Sequence, residues 1–406
     1  MLRKILYYFF FLFIICAFST STFAQRKPKY QLETISNKPS LATTLPENSK
    51  KEIYRIDFLL PLYVDSLPNQ LQVLKNIPTA SQTGVNIYEG ILMAIDSLEK
   101  AGIMYYDIYV HDIGNTPVQT WIDKGLLDST DIIVGALYAA DIPLVANFAK
   151  ERKINFVSML SPSDGDIKEN PYFIISQPPL NIHLKRMVAY AEFNKSYLNA
   201  LLISGNSKHD EEPLQYIKEN VNRIVPNFAL SSYENINLEK LKNLLDDKQK
   251  NLIYTTALSP QDATLLLEAL SKLDEKYQLE IIGFPTWKGL PMLTSGKLKS
   301  NITVYLSYPY RFDEEVEKRL RFRNQYEMFK RGLPTELVYR GYEITLWVAD
   351  LLNQYGTVFN SHLANHPAFC TDYKIELKKE DKQEYYYENT QLYFYKYNES
   401  VLKIIE

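Results

Sequence analysis

The segment from Asp131 to Ser161, DIIVGALYAADIPLVANFAKERKINFVSMLS, contains one whole strand, helix, strand step, and it narrows the choice of fold more than any other stretch. Ile132 to Val134 form a short apolar run ending at Gly135. Ile142, Val145, Ala146 and Ala149 then recur at helical spacing, and Ile154 to Val157 form a second apolar run. Strands joined by such a crossover lie parallel. In open sheets built this way, ligands sit beyond the carboxyl ends of the strands, so the loops after Val134 and Val157 are the first places to look for function.

The same alternation extends along the chain. Ile56 to Leu60 reads as a buried strand ending at Pro61. Tyr88 to Leu98 carries Ile91, Leu92, Ile95 and Leu98 on one helical face, Asp107 to Val110 is the next strand, and Val118 to Leu127 a helix. Past Pro178-Pro179 it restarts, with helices over Asn181 to Phe193, Glu212 to Val225 and Pro260 to Leu273. The strands there are Asn199 to Ile203, Leu252 to Tyr254 and Leu279 to Ile282. Thr303 to Leu306 is a further strand, followed by helices over Asp313 to Lys330 and Tyr339 to Tyr355. The alternating, tyrosine-rich tail from Tyr385 to Ile405 reads as a hairpin around Asn398-Glu399. The expected fold class is α/β, with two doubly wound parallel-sheet lobes joined by crossing strands.

Met1-Leu2-Arg3-Lys4, the apolar core Ile5 to Phe18 and the small residues before Gln25 have the three parts of a secretory signal, with cleavage after Ala24. The apolar core falls short of the roughly 20 residues a spanning helix needs, so an exported chain without a stable membrane anchor is expected. Cys16 lies inside that core, and Cys370 is the other cysteine. No internal disulfide is available, and stability must come from packing. The expected organisation is a signal peptide over 1–24, a flexible leader over 25–52, a first lobe of 53–177 plus 301–357, and a second lobe of 178–300 plus 358–406. Losing Arg3 and Lys4 takes the formal charge of −3 further negative. The basic run Lys318 to Arg323 follows the acids Asp313-Glu314-Glu315 and reads as a solvated helix face, which argues against a nucleic-acid partner.

The succession IDFLLPL, YEGILMAIDSLEKAGI, DIIVGALYAADIPLVANFAKERKINFVSMLSP, NPYFIISQPP, LEIIGFPTW and FRNQYEMFKRGLPTELVYRGYEITLWVADLL resembles the type I periplasmic binding family, which includes the branched-chain amino-acid receptors of ABC transporters. The resemblance spans Ile53 to Tyr355, with the tail closing the second lobe. It implies two lobes that close by a hinge on a small solute, an ABC permease as partner, no cofactor and no catalysis. The chain departs from the family in two places. Where a hydroxyl residue usually holds a ligand carboxylate, Gly135 is followed by Ala136, with Ala139-Ala140 beyond. After Ile282, Gly283-Phe284-Pro285-Thr286-Trp287 offers no acid for a ligand ammonium. An unmatched ionic group costs several kcal/mol to bury, so these losses count against an α-amino acid ligand.

The carboxyl-end rule nominates Tyr63, Tyr138, Ser161 and Ser163 on the first lobe, with His111 and Asp112 beside them. On the second lobe it nominates Asn206, Thr256 and Trp287, with Tyr308 near a crossing. Ser204, Ser207 and Thr255 share those second-lobe loops. This set of hydroxyls, amides and aromatics suits an uncharged or weakly polar solute, amino-acid-, peptide- or sugar-like in size. Gln177-Pro178-Pro179 and Tyr308-Pro309 are the expected crossings. Neighbouring residues at a strand end point to opposite faces, so His111 and Asp112 make a poor catalytic pair. Gly-x-Ser-x-Gly, phosphate-loop and His-Glu-x-x-His motifs are absent, and His362 and His366 sit in a loop composition rather than on a metal-binding helix. A second reading remains open, in which the fold has lost its solute and serves as an interaction protein of the cell envelope, such as a cell-wall synthase regulator.

Overall fold

The computed structural model describes residues 50–66, 77–103, 105–195, 198–311, 317–330, 332–365, 373–380, 383–398 and 401–405. The expected export signal, most of the leader, His366 and Cys370 lie outside the described residues.

Fourteen strands are described. The first five are β1 (Tyr54–Leu60), β2 (Tyr106–Asp112), β3 (Ile132–Gly135), β4 (Asn155–Ser158) and β5 (Phe173–Ile175). The next five are β6 (Asn199–Ser204), β7 (Asn227–Ala229), β8 (Asn251–Thr255), β9 (Leu279–Ile282) and β10 (Ile302–Tyr308). The tail adds β11 (Ile375–Glu380), β12 (Gln383–Asn389), β13 (Tyr393–Asn398) and β14 (Val401–Ile404). They form two seven-stranded sheets, ordered β11-β12-β5-β4-β3-β1-β2 and β14-β13-β10-β9-β8-β6-β7. The parallel part of each sheet has the doubly wound order in which the first strand pairs with both second and third, so each has its switch point beside its first strand. The two lobes thus share a topology that no sequence repeat announces.

Side-chain alternation explains the layers. In β1, Ile56, Phe58 and Leu60 enter one apolar cluster with Trp347, Val348 and Leu351, while Leu59 enters the cluster on the other face with Ile142, Val145 and Phe156. Strands buried on both faces read as continuous apolar runs, which is why these were visible in the sequence.

Three strand assignments differ from expectation. Ile302–Tyr308, expected with the first lobe, pairs parallel with β9 through Val304↔Ile281 and belongs to the second sheet. Ile375–Glu380 and Gln383–Asn389, expected with the second lobe, belong to the first sheet, where Tyr387 is opposite Ile174 of β5. The tail is therefore more than one hairpin. β13 pairs antiparallel with β14 as expected, whereas β12, which ends three residues before β13, lies in the other sheet between β11 and β5. Alternating tyrosines suit either edge equally, so the pattern cannot choose the sheet.

The helix expected from Tyr88 begins at Thr79. Its extra turns are rich in Gly, Ser, Asn and Gln, which hide helical periodicity, and Gly84 lies against the Pro61 carbonyl. The helix expected from Glu212 begins at Lys208, because Ser207 and Asp210 form a reciprocal capping box. Among the described residues no helix is long and apolar enough to cross a membrane.

Candidate functional site

Three segments join the sheets: residues 176–179 after β5, the stretch after Tyr308, and residues 390–392 between β12 and β13. Side chains tie them together. Asn389 Nδ2 donates to the Ser176 carbonyl at 3.0 Å, the Tyr395 hydroxyl to the Tyr310 carbonyl at 2.7 Å, and the Tyr310 hydroxyl to Gln177 Oε1 at 3.1 Å. The two crossings read from the sequence are therefore joined by a third, which the single-hairpin reading of the tail concealed.

Beside them lies a cavity of about 360 Å³, within the size range of small-molecule sites. Pro162 enters from the loop after β4, Gln177 and Pro178 from the first crossing, and Leu180 and His183 from the helix Leu180–Lys195. The loops after β8 and β9 add Leu258, Pro285 and Thr286, and Tyr308 closes it from the end of β10. Every contributing loop follows the carboxyl end of a strand, as the switch-point rule requires. Among the described residues the lining holds no charged side chain. The His183 ring is buried, with Nδ1 2.9 Å from Ser307 Oγ, and burial pushes its imidazole down to about 3, so it is neutral at ordinary pH.

A charged cluster stands at the same junction. The Glu336 carboxylate, at the start of the helix Glu336–Tyr355, accepts from Lys288 Nζ at 2.8 Å, the Tyr308 hydroxyl at 2.6 Å and Arg340 Nη2 at 2.5 Å. The Arg340 guanidinium also lies 3.9 Å over the Tyr310 ring. Lys288 follows β9 in the second lobe, whereas the Glu336 helix packs on the helix Thr79–Lys100 of the first, so this ion pair bridges the lobes.

The nominated residues do not all reach this cavity. Tyr308 lines the cavity. Tyr63 and Tyr138 meet on the first lobe, their hydroxyls 2.7 Å apart, while Ser161 and Ser163 accept the amides of Ser163 and Gly165 in successive turns flanking Pro162. Asn206 is exposed before the Lys208–Asn220 helix. Two nominations are corrected by burial. Thr256 is 1% exposed, its hydroxyl engaged with Asp210, Tyr233 and the Gly205 amide. Trp287 is fully buried because Gly283 leaves room for the indole, whose Nε1 donates to the Ala257 carbonyl at 2.7 Å. Their sequence neighbours Leu258 and Thr286 face the cavity instead. The sequence reading passed over His183, although it shares a buried stripe with Leu184, Met187, Val188 and Ala191 at helical spacing.

His111 and Asp112 do point apart. His111 Nε2 lies 2.6 Å from the buried Asp57, which also pairs with Arg55 at 2.8 Å. Asp112 instead accepts the amides of Leu62, Tyr63, Val64 and Gly114, and these bonds outweigh its partial burial and hold its carboxyl below the ordinary range. They fix Tyr63 in its left-handed conformation at φ 56°. Asp112→Ala is expected to lose about 1 to 2 kcal/mol and to speed hydrogen exchange at Leu62 to Val64 selectively. Unchanged exchange there would show that Asp112 does not hold the loop.

No family model matches the chain, and no curated protein matches it by sequence. Solved structures share its fold, which is the two-lobed type I periplasmic binding fold. A Rhodospirillum rubrum protein described as a branched-chain amino acid ABC transporter superposes with TM-score 0.64 at 13% identity, over 87% of this chain and 100% of that one. The substrate-binding protein LivJ of Streptococcus pneumoniae, in complex with isoleucine, gives 0.55 at 13% identity over 87% and 99%. LpoA of Haemophilus influenzae gives 0.57 at 13% identity over 91% of this chain and 61% of that one.

Proposed function

We propose that this chain is an exported solute-binding protein that acts without catalysis, closing its two lobes about the three crossings on a small ligand and handing it to a membrane permease. The observation that carries this reading is the uncharged cavity at the junction of the lobes, built from loops at the carboxyl ends of β4, β8, β9 and β10. The likeness to transporter-associated proteins, one of them holding isoleucine, supports it. Hinge closure then converts binding into a shape a partner can read, because closure gains the contacts that only the liganded state makes.

A thermal-shift screen of the chain after Ala24 against amino acids, short peptides, sugars and cell-wall muropeptides tests it. A true ligand raises the melting temperature by mass action, by about 2.7 kcal/mol of stabilisation at a hundredfold excess over Kd. A flat response across the whole set favours the second reading, an envelope interaction protein, which the likeness to LpoA and the missing ligand-holding hydroxyl and acid keep in view.

A further inference from the structure

Resting on the solute-binding reading, we infer that the cavity selects a neutral ligand with an apolar body and a hydrogen-bond acceptor, and that His183 Nε2–H is the donor that meets this acceptor.

The proton's position follows from Ser307. Its side chain is fully buried, and His183 Nδ1 is its hydrogen-bond partner at 2.9 Å. If Nδ1 carried the proton and donated it, the serine hydroxyl hydrogen would be left without an acceptor in a buried position, which folded proteins avoid. The hydroxyl therefore donates to Nδ1, and the hydrogen bond at one ring nitrogen sets the state of the other. Nε2 carries the proton. It has no hydrogen-bond partner among the described residues, on a ring that lines the cavity and is 3% exposed.

The remaining lining decides the class of ligand. Pro162, Pro178, Leu180, Leu258 and Pro285 present apolar surface, and the Tyr308 ring adds a flat face. The Tyr308 hydroxyl is already committed to Glu336, and the Thr286 hydroxyl donates to the Leu258 carbonyl at 2.6 Å. A zwitterion entering here would bring two charges to a wall that offers neither counter-charge, and an unpaired ion is costly to desolvate. A carbonyl on an apolar body would instead satisfy the imidazole N–H and bury its remaining surface.

The test uses matched probes of equal side-chain content: cyclo(L-leucyl-L-proline), which is neutral, and linear L-leucyl-L-proline, which is zwitterionic. Octanamide serves as a second neutral probe of different shape. The expected result is that the neutral probes raise the melting temperature and give a calorimetric Kd, while the linear dipeptide at the same concentration does neither. His183→Phe should weaken the neutral probes about tenfold. Because that change strands the Ser307 hydroxyl, the double variant His183→Phe/Ser307→Ala, which removes both polar partners, keeps the comparison sound if the single variant fails to fold.

Equal binding of linear and cyclic dipeptides overturns the inference, as does neutral-probe binding untouched by the double variant. If both neutral probes fail while a charged solute of the wider screen binds, the inference falls and the solute-binding reading stands. If nothing in either set binds, the solute-binding reading itself falls and takes this inference with it.

Discussion

Replacing Glu336 with alanine is expected to remove several kcal/mol of stability, because it takes the shared carboxylate from two partly buried cations. Lys288 and Arg340 are 24% and 12% exposed, and both bond to Glu336. Burial by itself would raise the Glu336 carboxyl. The Arg340 and Lys288 charges, with the hydrogen bonds from Lys288 and Tyr308, outweigh it and hold the group at about 2, against an ordinary value of 4.5. A carboxyl whose folded pKa lies below its unfolded value adds stability above the unfolded value and loses it as the pH falls toward the folded one. The melting-temperature gap between the natural chain and Glu336→Gln should therefore be full above pH 4.5 and shrink steadily toward pH 2. A gap that stays constant across that window would mean that the charge of Glu336 does not matter. Because the Lys288 pair spans the lobes, the same substitution should also loosen the junction, seen as faster hydrogen exchange in the crossings at residues 176–179 and 390–392.

The parts of this molecule that could be read in its sequence are those set by local pattern. The runs in β1, β3, β4, β8 and β9 are mostly apolar and buried on both faces, and the helices between them carry a stripe, so the order of elements and the two-lobed plan followed directly. The carboxyl-end rule pointed to loops that line the cavity. The side chains facing it lie one or two residues from those nominated, since which side chain turns inward depends on features with no periodic signature. Trp287 folds under its own loop only because Gly283 has no Cβ, and Thr256 is held inward by Asp210 and Tyr233 from separate elements. The Lys288, Tyr308, Glu336 and Arg340 cluster gathers four residues from both lobes, none unusual in its own segment. Long-range pairing also decided the fate of the tail, where β12 and β13 have much the same composition and pair with different sheets.

The second large effect comes from the contact between the helices Thr79–Lys100 and Glu336–Tyr355. A Cβ on Gly341 would stand 2.2 Å from the Ile87 carbonyl oxygen, and one on Gly90 would stand 2.1 Å from that of Val338. Both neighbours are backbone, so no side chain can swing aside, and the helices must separate. Helix propensity pulls the other way, since alanine is favoured over glycine by about 1 kcal/mol in a helix interior. Overpacking of this kind costs about 1 to 3 kcal/mol and more for a branched side chain, so the steric term is expected to win. Gly341→Ala should lower the urea midpoint by the equivalent of about 2 kcal/mol, and Gly341→Val by more. Gly90→Ala should cost a similar amount, and the double variant less than the two together, because one separation of the helices relieves both clashes. Gly341 also lies one position after Arg340 and five after Glu336, so a shifted helix would draw that carboxylate away from Lys288 and weaken the bridge between the lobes. A Gly341→Ala chain as stable as the natural one would show that these helices part without penalty, and that their close approach does not fix the position of Glu336.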